Sequence, residues 1–247
     1  LDVKGRTFNS LVNYYCKDRN LKRFLAVCQA MVKSKDSTPE MRGEICESVL
    51  YVMLTDFINK NNLTDWRISK GLILKNVSDG TNPNHLTELD LTLFTPKCIF
   101  SFECKSYKGE KYLKDKGLLY LKKAKRHIKS IDIFDQHIKH FYVLEDNLKI
   151  ALKQVKPSKY KSYRLLCFEF SDTPLVDKRE DKYKALFPVC NVDNLYSIFK
   201  HYNDRPDYWD MERVNRVVDI IEKASEKNKK NHLDYVTSLH HSRSSNK

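Results

Sequence analysis

Between Glu88 and Gly109 the chain reads ELDLTLFTPKCIFSFECKSYKG, and this stretch limits the fold more than any other. β-Branched, aromatic and leucine residues alternate with polar ones on both sides of Thr95-Pro96-Lys97, the pattern of two short strands joined by a turn. The run from Cys98 to Cys104 is too apolar for a sheet edge, so the second strand is expected inside a sheet covered on both faces. Alternation puts Glu103 and Lys105 on one face with Ser101 and Ile99, and Phe100, Phe102 and Cys104 on the other. On the first strand Asp90 is expected to share a face with Glu88, Thr92 and Phe94, while Leu89, Leu91 and Leu93 face the opposite layer. Charged groups on a central strand need a partner or a purpose.

Two carboxylates and an amine converging on one patch have a chemical reading. Carboxylate oxygens brought together on strands suit a hard divalent cation, and Mg²⁺ accepts few protein ligands while keeping waters for reaction. An adjacent lysine can orient or deprotonate such a water and stabilise charge developing on a phosphate. Taken alone, Glu103 and Lys105 are equally an ordinary solvated face with a weak ion pair.

The rest of the chain supplies what would surround that patch. Apolar positions at helical spacing from Phe8 to Met31 predict two N-terminal helices, and Ser37-Thr38-Pro39-Glu40 marks the start of a third, running to about Asn59. Ile45, Val49, Val52, Met53 and Phe57 form its expected buried stripe. Glu44 and Glu47, three apart in its first turns, share a face; they are either ordinary early-helix acids or, if the helix crosses the strands, a third carboxylate for the patch. Trp66–Val77 reads as a strand, Ser78–Asn84 as a polar loop, and Lys114-Asp115-Lys116-Gly117 as a turn between two short strands. A helix is expected from about Ile133 to Gln154, carrying Gln136, His137 and His140, followed by a buried strand at Tyr163–Phe170. Then come a charged loop at Val176–Lys184, a short strand at Ala185–Val189, and helices at about Val192–Tyr202 and Met211–Lys227. Beyond Lys229 the polar tail is expected to fray. This order predicts a mixed α/β fold, a central sheet flanked by helices.

Charge points to a polyanion. Lys and Arg total 45 against 32 Asp and Glu, a net charge of +13 over 247 residues, and such an excess favours nucleic acid through counterion release. Lys122, Lys123, Lys125, Arg126 and Lys129 concentrate that charge in KKAKRHIK, which is either a phosphate-backbone contact or a solvated basic face. No apolar run approaches a bilayer span and the first residues lack a signal-peptide core, so a cytoplasmic protein without membrane association is expected. Leu1 is not an initiator methionine, so a preceding segment is expected. Seven cysteines, an odd number without C-x-x-C spacing, read as reduced core residues. Six glycines and no G-x-x-x-x-G-K-[ST] exclude a phosphate-cradling glycine loop, and H-E-x-x-H and G-x-S-x-G are absent. His137 and His140 read as packing or phosphate contacts with no nearby carboxylate to complete a metal set, and His240-His241 as solvated tail.

Taken in order, Gly43-Glu44-Ile45-Cys46-Glu47 on a helix, Glu88-Leu89-Asp90 on a strand, Glu103-Cys104-Lys105 on the next, Tyr107-Lys108-Gly109 after it and Gln136 opening a later helix resemble the nuclease-related domain (NERD) branch of the PD-(D/E)XK nuclease superfamily. The resemblance covers roughly residues 40–200, a usual domain size. It implies a restriction-endonuclease-like core at residues 39–205, with a helical extension at 1–38 and a helix and tail at 206–247. It also implies a Mg²⁺- or Mn²⁺-dependent phosphodiesterase in which Asp90 and Glu103 hold the metal and Glu47 completes its surroundings. Lys105 would orient or activate the attacking water, and Gln136 would position substrate or the lysine. Cys46 stands where the family's helix motif has a second glycine, which leaves Glu44 as a substitute for Glu47, and Glu88-Leu89-Asp90 fits its motif only approximately. The expected activity is a DNA endonuclease, DNA being favoured over RNA, of the kind used in restriction or phage defence. Cutting both strands would call for two sites, hence a homodimer or larger defence complex. The alternative is a nuclease fold kept as a catalytically inert nucleic-acid-binding module or a partner-activated subunit.

Overall fold

The structure is a computed structural model that describes residues 6–76, 86–123, 126–154, 163–207 and 209–244, with residues 123, 154 and 231–244 described by their backbone alone. Three helices open the described chain: α1 (Arg6–Asp18), α2 (Leu21–Lys33) and α3 (Pro39–Lys60). The signal at Thr38 works as expected: its side chain accepts the Met41 N–H at 3.2 Å and Pro39 occupies the first turn. The helix buries more than one stripe, taking in Leu50 and Leu54 as well as Ile45, Val49, Val52, Met53 and Phe57. The reason is that Leu11, Tyr15, Phe24, Cys28 and Val32 of α1 and α2 cover the side turned away from the sheet, leaving α3 enclosed.

The central sheet comprises β1 (Arg67–Lys75), β2 (Leu86–Phe94), β3 (Ile99–Lys105), β7 (Tyr163–Glu169) and β9 (Val189–Cys190) in the order β1-β2-β3-β7-β9. The first two pairings are antiparallel and the last two parallel, so β3 lies in the middle, as its apolar run requires. One face packs on α3, where Phe100 and Phe102 meet Phe199 of α6 (Leu195–Asn203). The other packs Leu72, Leu74, Phe94 and Ile99 against α4 (Ile133–Gln154) and α7 (Met211–Ser244).

A second sheet departs from the single sheet expected. It contains β4 (Lys111–Lys114), β5 (Leu118–Lys123), β6 (Arg126–Asp132) and β8 (Val176–Asp177) in the order β6-β5-β4-β8, again mixed. Its inner face sets Leu113 and Leu119 against Ile133, Cys167 and Phe187. The described part of the basic segment thus falls on the antiparallel pair β5 and β6. With α5 (Asp181–Leu186), seven helices are found among the described residues.

Three further expectations are corrected. Ala185–Val189 is not a strand: α5 continues to Leu186, and only Val189 and Cys190, past Pro188, join the sheet. Val176–Lys184 is not wholly loop, since Val176 and Asp177 pair with β4. The last helix extends to Ser244 instead of fraying after Lys229, because nothing between Met211 and Ser244 is glycine or proline. The loop Ser78–Asn84 lies outside the described residues. All seven cysteines are free, five of them buried, as reduced core residues should be.

Candidate active site at the divergence of two strands

The site begins where β2 and β3 part. Their ladder runs from Phe94↔Ile99 to Leu91↔Phe102 and ends there, so Asp90 and Glu103 stand just beyond the last rung. Past that point a side chain takes over the backbone's role: the Asp90 Oδ2 atom accepts the Cys104 N–H at 2.7 Å. On the other side of β2 the ladder with β1 omits the pair opposite Asp90, where Gly71 adopts a left-handed φ of +58°, a conformation glycine takes without steric cost. This break inverts the pleat. Leu91 and Leu93 pack toward α3, yet Leu89 lies in the opposite cluster with Leu72 and Leu74, correcting the expectation that all three share a face. Asp90 sits at the inversion, near enough to both Glu47 and Glu103 for each to raise its pKa.

Glu103 is only 2% exposed. Its Oε1 accepts from Lys105 Nζ at 2.6 Å, and its Oε2 lies 3.0 Å from His140 Nδ1. Lys105 also donates to the Gln136 Oε1 atom at 3.2 Å. Gln136, His137 and His140 belong to the first two turns of α4, and the helical repeat puts them on one side. His137 is wholly buried; its Nε2 lies 3.1 Å from Ser101 Oγ, and burial drives its imidazole down to about 3, so it is neutral. The expectation that no carboxylate lies near these histidines is therefore wrong for His140. Glu103 was out of view because its strand and α4 are brought together only by tertiary folding; the i, i+4 spacing of Gln136 and His140 was the available signal.

The two carboxylates are driven apart electrostatically. Burial first, then the neighbouring Glu103 charge, pushes Asp90 up to about 7. Burial also opposes ionisation of Glu103, but the His140 and Lys105 contacts outweigh it and hold that group down to about 2. Near neutral pH Asp90 is thus the member of the pair that gains or loses a proton, while Glu103 stays ionised. Burial pulls the Lys105 ammonium down, yet its pairing with Glu103 holds it above the usual lysine range.

Glu47 approaches the pair from α3, but its carboxylate is ion-paired to Lys70 of β1 at 2.9 Å. Glu44, the other helix acid, turns the opposite way and accepts the Thr7 and Phe8 N–H groups at 3.0 and 3.2 Å, capping α1. Cys46 lies flush between α3 and the sheet, its Sγ facing the Lys105 and Phe168 carbonyls at 3.5 and 3.7 Å. The donor set fits a hard cation, being carboxylate oxygens whose charges oppose one another. No three His, Cys, Asp or Glu side chains among the described residues form a ready-made metal cluster, so a cation here would rest on few protein ligands and on water.

Of the basic residues, Lys122 pairs with Glu110 at 2.5 Å, and Arg126 and Lys129 are exposed on β6. Lys125 and the Lys123 side chain lie outside the described residues.

A mixed sheet flanked by helices, with acids and a lysine at the parting of two central strands and a glutamine from a following helix, defines a nuclease-type α/β core of the PD-(D/E)XK kind. The family model for the nuclease-related domain, NERD, matches residues 42–168, from the start of α3 to near the end of β7, and the chain belongs to that family. Comparison with curated protein sequences gives no match. No helix among the described residues is long and apolar enough to cross a membrane.

Proposed function

We propose that the chain is a metal-dependent nuclease that hydrolyses phosphodiester bonds, DNA being favoured, with residues 39–205 as its core. The observation that carries this reading is the pairing of a half-buried, charged Lys105 with the buried Glu103 beside a second carboxylate that shares its field. Asp90 and Glu103 would hold a divalent cation, Mg²⁺ or Mn²⁺, with Glu47 beside them. When bound, it supplies charge neutralisation at the scissile phosphate and a more acidic water.

The chain's own residues do the rest. Lys105 is an ammonium in the ground state, so its first role is to donate hydrogen bonds to the charge that builds on the phosphate; it turns to accepting a proton only when Glu103's charge is engaged elsewhere. Gln136 Oε1 fixes the direction of the amine, and His140 holds the second oxygen of Glu103 in place. The basic segment around Lys122, Lys123, Lys125, Arg126 and Lys129 supplies phosphate-backbone contacts. A defence role such as restriction, and a dimer with two sites, fit a DNA-cutting enzyme of this type.

A second reading, an inert docking module, is favoured by one observation: Glu47 is already neutralised by Lys70. The test is incubation of supercoiled plasmid and, separately, single-stranded RNA with the protein in Mg²⁺, Mn²⁺ or EDTA, alongside Lys105→Ala. The nuclease reading expects cleavage that needs both metal and Lys105. Salt-sensitive binding without cleavage in any metal would favour the docking module, and cleavage by Lys105→Ala at the wild-type rate would overturn the assignment.

A further inference from the structure

The outer face of the second sheet carries a row of side chains that the catalytic site does not use. Strand register places Val176, Tyr112, Tyr120 and Lys129 directly opposite one another across β8, β4, β5 and β6. The alternate residues Leu113 and Leu119 point inward and are fully buried, so this row faces outward. Tyr112 and Tyr120 stack with ring centroids 4.9 Å apart and planes within 8° of parallel. His127 sets its edge against Tyr112 at 4.9 Å, and Lys178 Nζ lies 4.4 Å over the Tyr112 ring. Beside the pair is a cavity of about 200 Å³ bordered by Tyr112, His127, Thr173, Val176, Lys178 and Glu110, the last of these ion-paired with Lys122. Val176 is 53% exposed, and Lys129 and Lys178 are exposed as well.

Two stacked aromatic rings on an open sheet face, rimmed by lysines, match the unpaired bases and phosphates of a single strand. Aromatic rings offer π-faces, which every base can stack on when it is free of a partner, while lysines track the backbone. In a duplex the base faces are occupied by neighbouring pairs, and only the charge would remain to attract it. An exposed lysine over a ring is readily displaced by a base while keeping the adjoining phosphate within reach.

We propose that this face binds single-stranded nucleic acid, an unpaired base stacking on the Tyr112–Tyr120 pair at the adjoining cavity while Lys129 and Lys178 meet the flanking phosphates. The choice of nucleic acid among polyanions rests on the nuclease reading; the choice of a single strand rests on the aromatic row. The test is fluorescence anisotropy in EDTA, where no turnover occurs, with single-stranded DNA, single-stranded RNA and duplex DNA of equal length. Tyr112→Leu should weaken single-strand binding roughly fivefold to a hundredfold, the equivalent of the ~1–3 kcal/mol that a base–aromatic stack contributes. It should leave duplex binding and the salt slope unchanged, and Tyr112→Phe should bind as the wild type does. Lys129→Ala should lower the single-strand salt slope by about 0.7. The two single-stranded arms decide between DNA and RNA. Equal affinity for single strand and duplex, or single-strand binding untouched by Tyr112→Leu, would overturn the proposal. Should that variant fail to fold, photocrosslinking of a halogenated-pyrimidine oligonucleotide to the wild-type protein decides: adducts at Tyr112 or Tyr120 support it, and adducts only elsewhere overturn it. Tyr112-dependent binding with no cleavage in any metal would fail the nuclease reading alone. Lys105-dependent cleavage with binding indifferent to Tyr112 would fail this inference alone.

Discussion

Replacing Asp90 with asparagine removes a charge yet keeps an oxygen to accept the Cys104 amide. In the metal-free protein burial and the Glu103 charge push the Asp90 carboxyl up to about 7 from an ordinary 3.8. Between those values the unfolded chain has lost its proton and the folded chain has not, so stability falls as pH rises through this window and is level above it. Three pH units at about 1.4 kcal/mol each give roughly 4 kcal/mol; because Asp90 keeps part of its surface open to solvent, the working figure is about 2–4 kcal/mol. Glu103 acts in the opposite sense and lower down: its folded pKa is depressed to about 2 from 4.5, so its contribution is present above the higher value and lost as pH falls toward the lower. The windows scarcely overlap, and the Asp90 effect can be read by itself. For a chain of this length it corresponds to a fall in Tm of roughly 5–15 °C as pH rises from about 4 to about 7. Thermal melts followed by circular dichroism in EDTA, across that range, should reveal the fall in the wild type and lose it in Asp90→Asn, which becomes the more stable protein at alkaline pH. Parallel pH profiles for the two proteins would refute the reasoning.

Phe199→Ala removes a fully buried ring that meets Phe57, Trp66, Phe100 and Phe102, and urea denaturation should register a loss of about 3–5 kcal/mol. Lys111→Met strips the cation from Glu169 and Asp172, which lie 3.5 and 3.9 Å from its Nζ; the expected cost is about 3–5 kcal/mol. Part of that should return in the Lys111→Met, Glu169→Gln double variant, and no recovery would argue against the ion pair as the cause. Gly71→Ala forces a side chain into a left-handed backbone at φ +58° and should cost about 1–2 kcal/mol. Since the same residue sets the pleat inversion opposite Asp90, hydrogen exchange should rise at the Cys104 amide, and an unchanged rate there would separate Gly71 from the site.

Much of the site was legible in the residues because its parts are local. An apolar run carrying Glu103 and Lys105 identifies a central strand, Thr38-Pro39 fixes where α3 starts, and Ile133–Gln154 reads as the helix it is. What stayed hidden depends on contacts far apart in the chain. Strict alternation failed for Leu89 because one glycine on a neighbouring strand changed the pleat. His140 could not be assigned to Glu103 without knowing that α4 crosses β3. The second sheet is not legible in the sequence because β8 is only two residues long and joins β4 after an intervening helix and the β7 strand. The aromatic row followed from that sheet, since Tyr112 and Tyr120 become neighbours only through the register of the hairpin.

Two of the groups of buried ions among the described residues differ in a way that separates structure from function. Around Lys111 one ammonium stands between two carboxylates, Glu169 at 3.5 Å and Asp172 at 3.9 Å, and also reaches the Thr173 carbonyl and hydroxyl; the shared cation ties β4 to the loop after β7. Around Glu103 the two carboxylates do not share a cation in this way. Lys105 and His140 satisfy one carboxylate, while Asp90 is left beside it with a backbone amide as its partner and two acids as its neighbours. A fold selected for stability alone would replace Asp90 with a neutral residue, because like charges in a poorly solvated setting cost energy that their surroundings must offset. The divergence of β2 from β3 and the glycine opposite Asp90 are what hold that acid in place. A cation shared between Asp90 and Glu103 would remove the repulsion and would return the stability given up in the metal-free protein. The prediction for Asp90→Asn tests this same arrangement: the variant should gain stability without metal, and Mg²⁺ or Mn²⁺ should raise the Tm of the wild type but not of the variant.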